Sequence, residues 1–156
     1  MGDPFKAGRD GSQGLAQIIE MHWPLKLTII MLGSNDFQCM HRNNAWLSAQ
    51  GSAKLIETIR GAPIELSMPI PEIMLVSPPA IIEPKGEIAR KFRGAENRCS
   101  GLAEALATIA KEYTVRYFDA GVVADACPVD GIHLDEDQHR LLGKALARTV
   151  SAEILQ

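Results

Sequence analysis

The residues with the clearest chemical potential are an aspartate and a histidine near the C-terminus, within the run from Val129 to Asp135. An aspartate three residues before a histidine can orient the imidazole ring through one nitrogen, which leaves the other nitrogen free for proton transfer. Gly131 lets the backbone between Asp130 and His133 bend tightly. In the simpler alternative, Asp130 and Asp135 cap the helix that follows, and His133 is an ordinary polar loop residue.

The elements that must position these residues follow from the hydrophobic periodicity. Three short apolar runs predict strands. The run from Leu25 to Leu32 is typical of a strand buried on both faces, the run from Ile73 to Val76 predicts a second buried strand, and the run from Val115 to Phe118 a third short strand. Helical spacing predicts helices around residues 15–22, 44–59, 99–110 and 135–154. Because helices and strands alternate, the expected fold is α/β: a three-stranded parallel sheet with helices on both faces, like part of a flavodoxin-like sheet.

Local signals refine these elements. Candidate helix N-caps are Asp10 or Ser12 for the first helix, Asn43 or Asn44 for the second, and Asp135 for the last, where Gln138 resembles the partner in a capping box.

Residues 80–93 form a long polar loop, and loops of this length in compact domains are commonly functional. Trp46 is expected in the core.

The polar loops converge on one edge of the expected sheet. Gly33-Ser34-Asn35-Asp36 follows the first strand, Ser77-Pro78-Pro79 follows the second, and the loop with Asp130 and His133 follows the third. Ligands of parallel sheets bind beyond the carboxyl ends of the strands. The sequence therefore predicts a site at this edge. In the simpler interpretation, Asn35 and Asp36 only close an Asx turn.

Composition bounds the class of protein. The 156 residues with net charge −3 indicate one domain, residues 1–156, with neither a nucleic-acid groove nor a polybasic membrane patch. The sequence has no apolar run of bilayer-spanning length and no secretory signal at its start. Cys39, Cys99 and Cys127 form no metal-binding pattern, so we expect free thiols and a cytoplasmic location. A metal site at Asp130, His133, Asp135 and His139 is disfavoured, and no Gly-rich phosphate loop or cofactor motif is present.

The two polar motifs together resemble those of the SGNH hydrolases, also called GDSL esterases. Gly33-Ser34-Asn35-Asp36 is similar to the third block of that family, Gly-x-Asn-Asp, and Asp130-Gly131-Ile132-His133 is similar to the fifth, Asp-x-x-His. The flanking residues 30–32 and 118–121 are similar to the arylesterase-like bacterial branch. The resemblance extends from about Pro4 over nearly the whole sequence.

The resemblance implies a serine ester hydrolase that acts on small acyl or aryl esters. In that family the histidine of the fifth block is the general base and its aspartate orients the ring, which assigns those roles to His133 and Asp130. The asparagine of the third block donates to the oxyanion, which assigns that role to Asn35. Gly33, Ser34 and Asp36 would then support the pocket, with no cofactor and no metal.

The sequence departs from the family in one respect. It contains neither the first block, Gly-Asp-Ser, which carries the nucleophile, nor the second, which completes the oxyanion hole. Three strands are predicted where the family usually has five, so the N-terminal strand-helix-strand portion is missing. Ser12, Ser34 and Ser77 do not match the family's nucleophile. The alternative is therefore a catalytically inactive form that binds esters or serves as an interaction module.

The missing portion also has a consequence for association. In the family the two absent strands lie beside the run from Leu25 to Leu32, so that strand would become an open, apolar edge. Such edges recruit other chains. We therefore expect either part of a longer esterase or a homo-oligomer that pairs through this strand, with a small ester as substrate and no nucleic-acid or membrane partner.

Overall fold

The computed structural model describes residues 10–62, 65 and 67–154. The polar residues 1–10, with their glycines and proline, predict a loop, but only Asp10 of them is described. Pro63, in the proline-rich connection predicted before the second strand, also lies outside the described residues. Five helices are described: α1 Leu15–Met21, α2 Ala45–Arg60, α3 Ala95–Arg98, α4 Leu102–Glu112 and α5 Glu136–Glu153. Three strands alternate with them: β1 Leu27–Ile30, β2 Glu72–Ser77 and β3 Arg116–Asp119.

The strands form one parallel sheet in the order β1-β2-β3. Ile29 is in register with Met74, which is in register with Arg116. The central strand is built from a continuous apolar run, and its residues 73–77 are all buried, as a strand covered on both faces requires. The three-stranded parallel α/β sheet predicted from the sequence is confirmed.

Helices cover both faces of this sheet. On one face, Ile73 and Leu75 belong to a core cluster with apolar residues of α2 and α4. On the other face, Met74 and Val76 pack in a cluster with Leu142 of α5. Alternate residues of β2 thus point into two separate cores, because side chains along a strand point to opposite faces. Each fully buried large apolar side chain contributes about 1.5–3 kcal/mol relative to exposure.

Two predicted helix N-caps are confirmed, whereas the predicted capping box is not. Asn44 caps α2, since its side chain accepts a hydrogen bond from the Leu47 N–H at 2.9 Å. Asp135 caps α5 by accepting from the Gln138 N–H at 2.9 Å. The capping box is wrong, however, because the Gln138 side chain accepts from the Asp125 N–H instead. Gln138 therefore ties the preceding loop to α5 rather than closing the helix end on itself.

The prediction for the first helix is also wrong at its start. The N-cap of α1 is Gly14, which has no capping side chain. Asp10 instead accepts hydrogen bonds from the N–H and the hydroxyl of Ser12. These two residues form a local turn before the helix begins, which is the competing use of short polar side chains.

Two further expectations need correction. β1 is shorter than the apolar run that predicted it and is not buried on both faces, since Ile29 is 42% exposed. Trp46 is 61% exposed and lies outside the core. Helical periodicity locates apolar positions on a helix face but does not show whether another element covers that face.

The segments around residues 80–110 are more structured than expected. The polar loop contains a 3₁₀ turn, Gly86–Arg90, and a buried side chain, Phe92. The helix expected over residues 99–110 begins only at Leu102, because Gly101 adopts a left-handed conformation with φ of 83°. Cys99 lies in the break between α3 and α4, where burial raises the pKa of its thiol.

All three cysteines are free in the structure. Among the described helices, none is both long enough and apolar enough to cross a membrane.

Candidate active site

The loops that follow the three strands line one cleft of about 260 Å³ at the carboxyl edge of the sheet. The first loop contributes Ser34 and Asn35, the second contributes Pro78 and Pro79, and the third contributes His133. The remaining lining residues are Met31, Ile132, Leu134 and His139. This convergence agrees with the expectation for ligand sites of parallel sheets.

His133, which lines this cleft, forms a close pair with Asp130. The Asp130 Oδ2 atom lies 2.6 Å from His133 Nδ1. Because an ionised carboxylate can only accept hydrogen bonds, this contact places the proton on Nδ1 and leaves Nε2 as the acceptor. The His133 side chain is 65% exposed and that of Asp130 is 27% exposed, so Nε2 is accessible to a ligand while the carboxylate is partly enclosed.

The second oxygen of Asp130 fixes the loop itself. Asp130 Oδ1 accepts from the N–H groups of Ile132 at 2.8 Å and of His133 at 3.0 Å. Burial alone would raise the pKa of Asp130. The hydrogen bonds from the His133 side chain and from the two N–H groups outweigh burial, so the pKa lies below its ordinary value of 3.8.

The backbone holds this loop against the segment after β2. The Cys127 N–H donates to the His133 carbonyl at 2.7 Å, and the Gly131 N–H donates to the Cys127 carbonyl at 2.8 Å. The Ile82 N–H donates to the Gly131 carbonyl and the Lys85 N–H to that of Asp130, each at 3.0 Å. The start of the 80–93 loop therefore positions the Asp130–His133 pair.

Gly131 is required by this packing. Its φ is 80°, and a Cβ built on it would collide with the Glu83 carbonyl. A larger residue would meet both backbone strain and a backbone atom that cannot move away without breaking the loop contacts.

Asn35 lies in the 3₁₀ turn Ser34–Phe37 and is exposed to the cleft. Its Oδ1 atom accepts a hydrogen bond from Gln38 Nε2 at 2.7 Å. That bond orients the amide and leaves the Nδ2 donor available for a ligand oxygen. Gln38 is buried, so it holds Asn35 in place from beneath.

The rest of the loop is anchored on α2. The Ser48 hydroxyl donates to Asp36 Oδ2 at 2.8 Å. Gly33 has φ of 128°, and a Cβ there would lie 3.1 Å from Ser48 Oγ and 3.4 Å from Leu102 Cδ2. Gly33 and Asp36 thus support the loop, whereas Ser34 and Asn35 face the cleft.

Several solved structures similar to this chain are esterases. The inhibitor-bound aryl esterase of M. smegmatis matches at 32% sequence identity and a TM-score of 0.91, covering 97% of this chain and 72% of its own. A carbohydrate acetylesterase from Sinorhizobium meliloti matches at 30% identity and a TM-score of 0.91 with the same coverage. The native form of the M. smegmatis enzyme matches at 33% identity and a TM-score of 0.90, again covering 97% of this chain and 72% of its own.

The chain belongs to the SGNH hydrolase family. The family resemblance and the fold class predicted from the sequence are thereby confirmed. No family model matches the chain, and no curated protein sequence matches it. Membership therefore rests on the similarity in sequence and structure to solved esterases.

Three residues of this candidate site in the SGNH hydrolase were not identified from the sequence. Gln38 orients Asn35. The sequence signal that could have identified Gln38 is its position three residues after Asn35. Ser48 anchors Asp36 from another helix, and nothing in the local pattern indicates that contact. His139 lies one turn inside α5 and lines the same cleft as His133, although it was considered only as a disfavoured metal ligand.

Proposed function

We propose that the chain carries the general base, the orienting acid and the oxyanion donor of an ester hydrolase for small acyl or aryl esters. The observation that carries the proposal is the 2.6 Å contact between Asp130 Oδ2 and Nδ1 of His133, a residue that lines the same cleft as Asn35. The names of the similar structures, an aryl esterase and a carbohydrate acetylesterase, support this class of substrate.

Each residue has a distinct role in the proposed reaction. His133 Nε2 removes the proton of the attacking hydroxyl and then returns it to the oxygen of the leaving alcohol. Asp130 keeps Nδ1 protonated and stabilises the imidazolium that forms. Asn35 Nδ2 donates to the carbonyl oxygen as that oxygen becomes negative, and a donor fixed in advance is worth several kcal/mol to such a step.

We propose that the nucleophilic serine is not among the serines of this sequence. The Ser12 hydroxyl donates a hydrogen bond to Asp10 at 2.7 Å. Ser12 lines a neighbouring cleft of about 390 Å³, which shares Met31, Ser34 and Asn35 with the first cleft but does not include His133. Ser77 is buried, and its hydroxyl donates to the Pro78 carbonyl at 3.2 Å. Ser34 shares the cleft with His133, but it belongs to the loop that carries Asn35, the proposed oxyanion donor. It does not lie on the sharp strand-to-helix turn that presents a serine nucleophile in α/β hydrolases.

The second candidate function is a binding module that keeps the cleft without turnover. This function is favoured because, among the described residues, the His133 ring is hydrogen-bonded to Asp130 and to no serine. A triad without its nucleophile retains only the contribution of the remaining groups.

Hydrolysis of p-nitrophenyl acetate tests the proposal. We expect slow turnover without a burst, because His133 can activate water towards this reactive ester while no serine becomes acylated. His133→Ala should lower the rate at least about tenfold, since a positioned base contributes more than a solvated one. His22→Ala, which removes an exposed imidazole in a different part of the chain, is the matched control and should leave most of the rate.

Ser34→Ala separates the remaining possibilities. A burst that disappears in both Ser34→Ala and His133→Ala would identify Ser34 as the nucleophile and contradict the proposal of an absent serine. Equal rates for the wild type, His133→Ala and His22→Ala would contradict the catalytic proposal and favour the binding module.

We further propose that the chain, a single domain over residues 1–156 that lacks the family's first strand-helix-strand portion, self-associates in the cytoplasm. The open strand is β1, which pairs only with β2 among the described residues and carries the half-exposed Ile29. The three free cysteines support a reducing compartment.

A further inference from the structure

Arg98 is the last residue of α3, and its half-buried side chain reaches the loop that carries Asn35. Arg98 Nη2 donates a hydrogen bond to the Phe37 carbonyl, and Nη1 donates to the Arg93 carbonyl at 2.9 Å. Among the described residues, no carboxylate forms an ion pair with this guanidinium. Its partners are therefore two backbone carbonyls, and it ties two distant segments of backbone together.

These contacts fix the backbone on both sides of Gln38. Before Gln38, the carbonyl that Arg98 holds belongs to the planar peptide bond between Phe37 and Gln38. After Gln38, the Cys39 N–H donates to the Lys91 carbonyl at 2.8 Å. Arg98 thus sets the orientation of the peptide from which the Gln38 side chain starts.

The Gln38 side chain passes this position on to Asn35. Gln38 is only 4% exposed, and its Nε2 atom donates to Asn35 Oδ1 at 2.7 Å. Asn35 itself is exposed to the cleft, so its amide has little packing to hold it in one rotamer. The amide of Asn35 is therefore directed by Gln38, and Gln38 by the peptide that Arg98 holds.

The local backbone leaves room for the guanidinium. Gly94 has φ of 72°, and a Cβ built on it would lie 3.2 Å from Arg98 Nη1. An arginine fork donates from two nitrogens in fixed directions, so one side chain reaches both carbonyls, whereas a lysine has a single nitrogen. The glycine and the arginine together suit a fixed clamp on the loop of Asn35.

We propose that Arg98 is a positioning residue for the oxyanion donor, which acts through Gln38 to hold the Asn35 amide ready in the cleft. This inference rests on the proposed function, because it uses the role assigned to Asn35. Arg98 is not one of the residues that line the cleft of Asn35 and His133, so it acts on the donor and not on the substrate. A donor fixed in advance needs no reorganisation when the carbonyl oxygen becomes negative.

A double-mutant cycle on the hydrolysis of p-nitrophenyl acetate tests the inference. Asn35→Ala removes the donor and should lower kcat at least about tenfold. Arg98→Met keeps an unbranched side chain without its hydrogen-bond donors and should lower kcat at least about fivefold with little change in KM. In the Asn35→Ala background, Arg98→Met should change kcat by less than about twofold, because two residues that act through one another are not additive.

The side-chain amide of Asn35 gives a second measurement that does not depend on turnover. Arg98→Met should move its two Nδ2 proton signals in ¹H–¹⁵N NMR spectra towards those of an unrestrained asparagine, while the ring signals of His133 stay in place. Arg42→Met is the control, because Arg42 is exposed close to the same loop, and it should change neither kcat nor the amide signals.

Equal thermal midpoints show that the variants are folded. If Arg98→Met is destabilised, Arg98→Lys takes its place in the cycle. It keeps the charge and one donor nitrogen, and it should lower kcat less than Arg98→Met but again only in the presence of Asn35.

The two proposals fail in different ways. If Asn35→Ala is slow but the substitution of Arg98 has no effect, or has the same effect in both backgrounds, the role of Arg98 is overturned while the proposed function stands. Unchanged amide signals of Asn35 in the Arg98 variant would overturn that role as well. If Asn35→Ala hydrolyses the ester as fast as the wild type, Asn35 is not the oxyanion donor and the inference falls with that assignment.

Discussion

At the scale of single residues, the Asp130 carboxylate has two tasks that use different oxygens. Oδ2 meets the His133 ring at 2.6 Å, and Oδ1 accepts two backbone N–H groups. The same side chain thus folds the loop and orients the ring. A substitution of Asp130 is therefore expected to change both the stability and the proposed proton transfer. The pH dependence of stability separates the effect of the carboxylate charge from the effect of the side-chain shape.

Asp130→Asn should lower the free energy of unfolding by about 1 kcal/mol at pH 7, because hydrogen bonds to a charged acceptor are replaced by weaker ones. The pKa of Asp130 is lower in the folded chain than its ordinary value of 3.8. Its charge therefore adds stability that is complete above that value and is lost as the pH falls through the folded pKa. Urea unfolding of both proteins from pH 7 to pH 3 measures this.

The difference between the wild type and Asp130→Asn isolates this group from the other carboxyls whose pKa values are also lowered, Asp10 and Glu57. We expect the difference to shrink at the acid end. A difference that stays constant or grows as the pH falls would show that the charge of Asp130 does not stabilise the loop.

Gly131→Ala tests the packing under the candidate base. Gly131 and Gly101 have nearly the same φ, 80° and 83°, but a Cβ at Gly101 meets nothing within 4 Å. Gly101→Ala should therefore cost about 1 kcal/mol for the left-handed conformation alone. Gly131→Ala should cost at least about 1 kcal/mol more, because its Cβ also meets the Glu83 carbonyl. Chemical denaturation of both variants measures the difference, and equal losses would contradict the collision.

At the scale of secondary structure, apolar spacing located the strands and the four long helices, because burial leaves a periodic signal. Apart from the length and burial of β1, the errors lie at helix starts. Gly14 and Gly101 occupy N-cap positions without a capping side chain, so the polar residues chosen as the cap of α1 were wrong. The sequence analysis assigned Gln138 to the capping box of its own helix, because a partner close in sequence is the simplest to predict. Its hydrogen bond with the Asp125 N–H depends instead on how the preceding loop folds back onto α5.

Asp135→Ala tests the cap that begins α5 directly after the candidate base. Loss of its bond to the Gln138 N–H should cost about 1 kcal/mol. Asp137→Ala is the matched control in the same first turn. Asp137 forms an exposed ion pair with Arg140, and such pairs contribute about 0–1 kcal/mol. Thermal or urea unfolding compares the two, and a larger loss for Asp137→Ala would show that Asp135 does not act as the cap.

At the scale of the whole molecule, the sequence was sufficient to predict that three loops meet at one edge of the sheet. Parallel pairing follows from the alternation of elements, and the positions of Asn35, Pro78 and His133 follow from the strand ends. The supports of the site were harder to predict. Ser48 meets Asp36, and Lys85 meets Asp130, only because distant segments pack together, and no local pattern encodes those contacts.

The open strand carries the last prediction. β1 lies at one side of the sheet and, among the described residues, pairs only with β2. The N–H and C=O groups of β1 that face away from β2 form a row that another strand can pair with. Ile29 adds a 42% exposed apolar side chain to this edge. Because apolar edges favour strand addition and charged edges oppose it, association through β1 should be sensitive to a charge at this position.

Ile29→Lys should therefore shift the chain from dimer towards monomer, with at least about a tenfold weaker dimerisation constant, since burying an unpaired ammonium at a strand interface is unfavourable. Sedimentation equilibrium over a range of protein concentrations measures the constant. Val122→Lys is the control, because Val122 is 74% exposed in the turn after β3 and is not part of the edge. A wild-type chain that remains monomeric throughout, or equal effects of the two substitutions, would contradict association through β1.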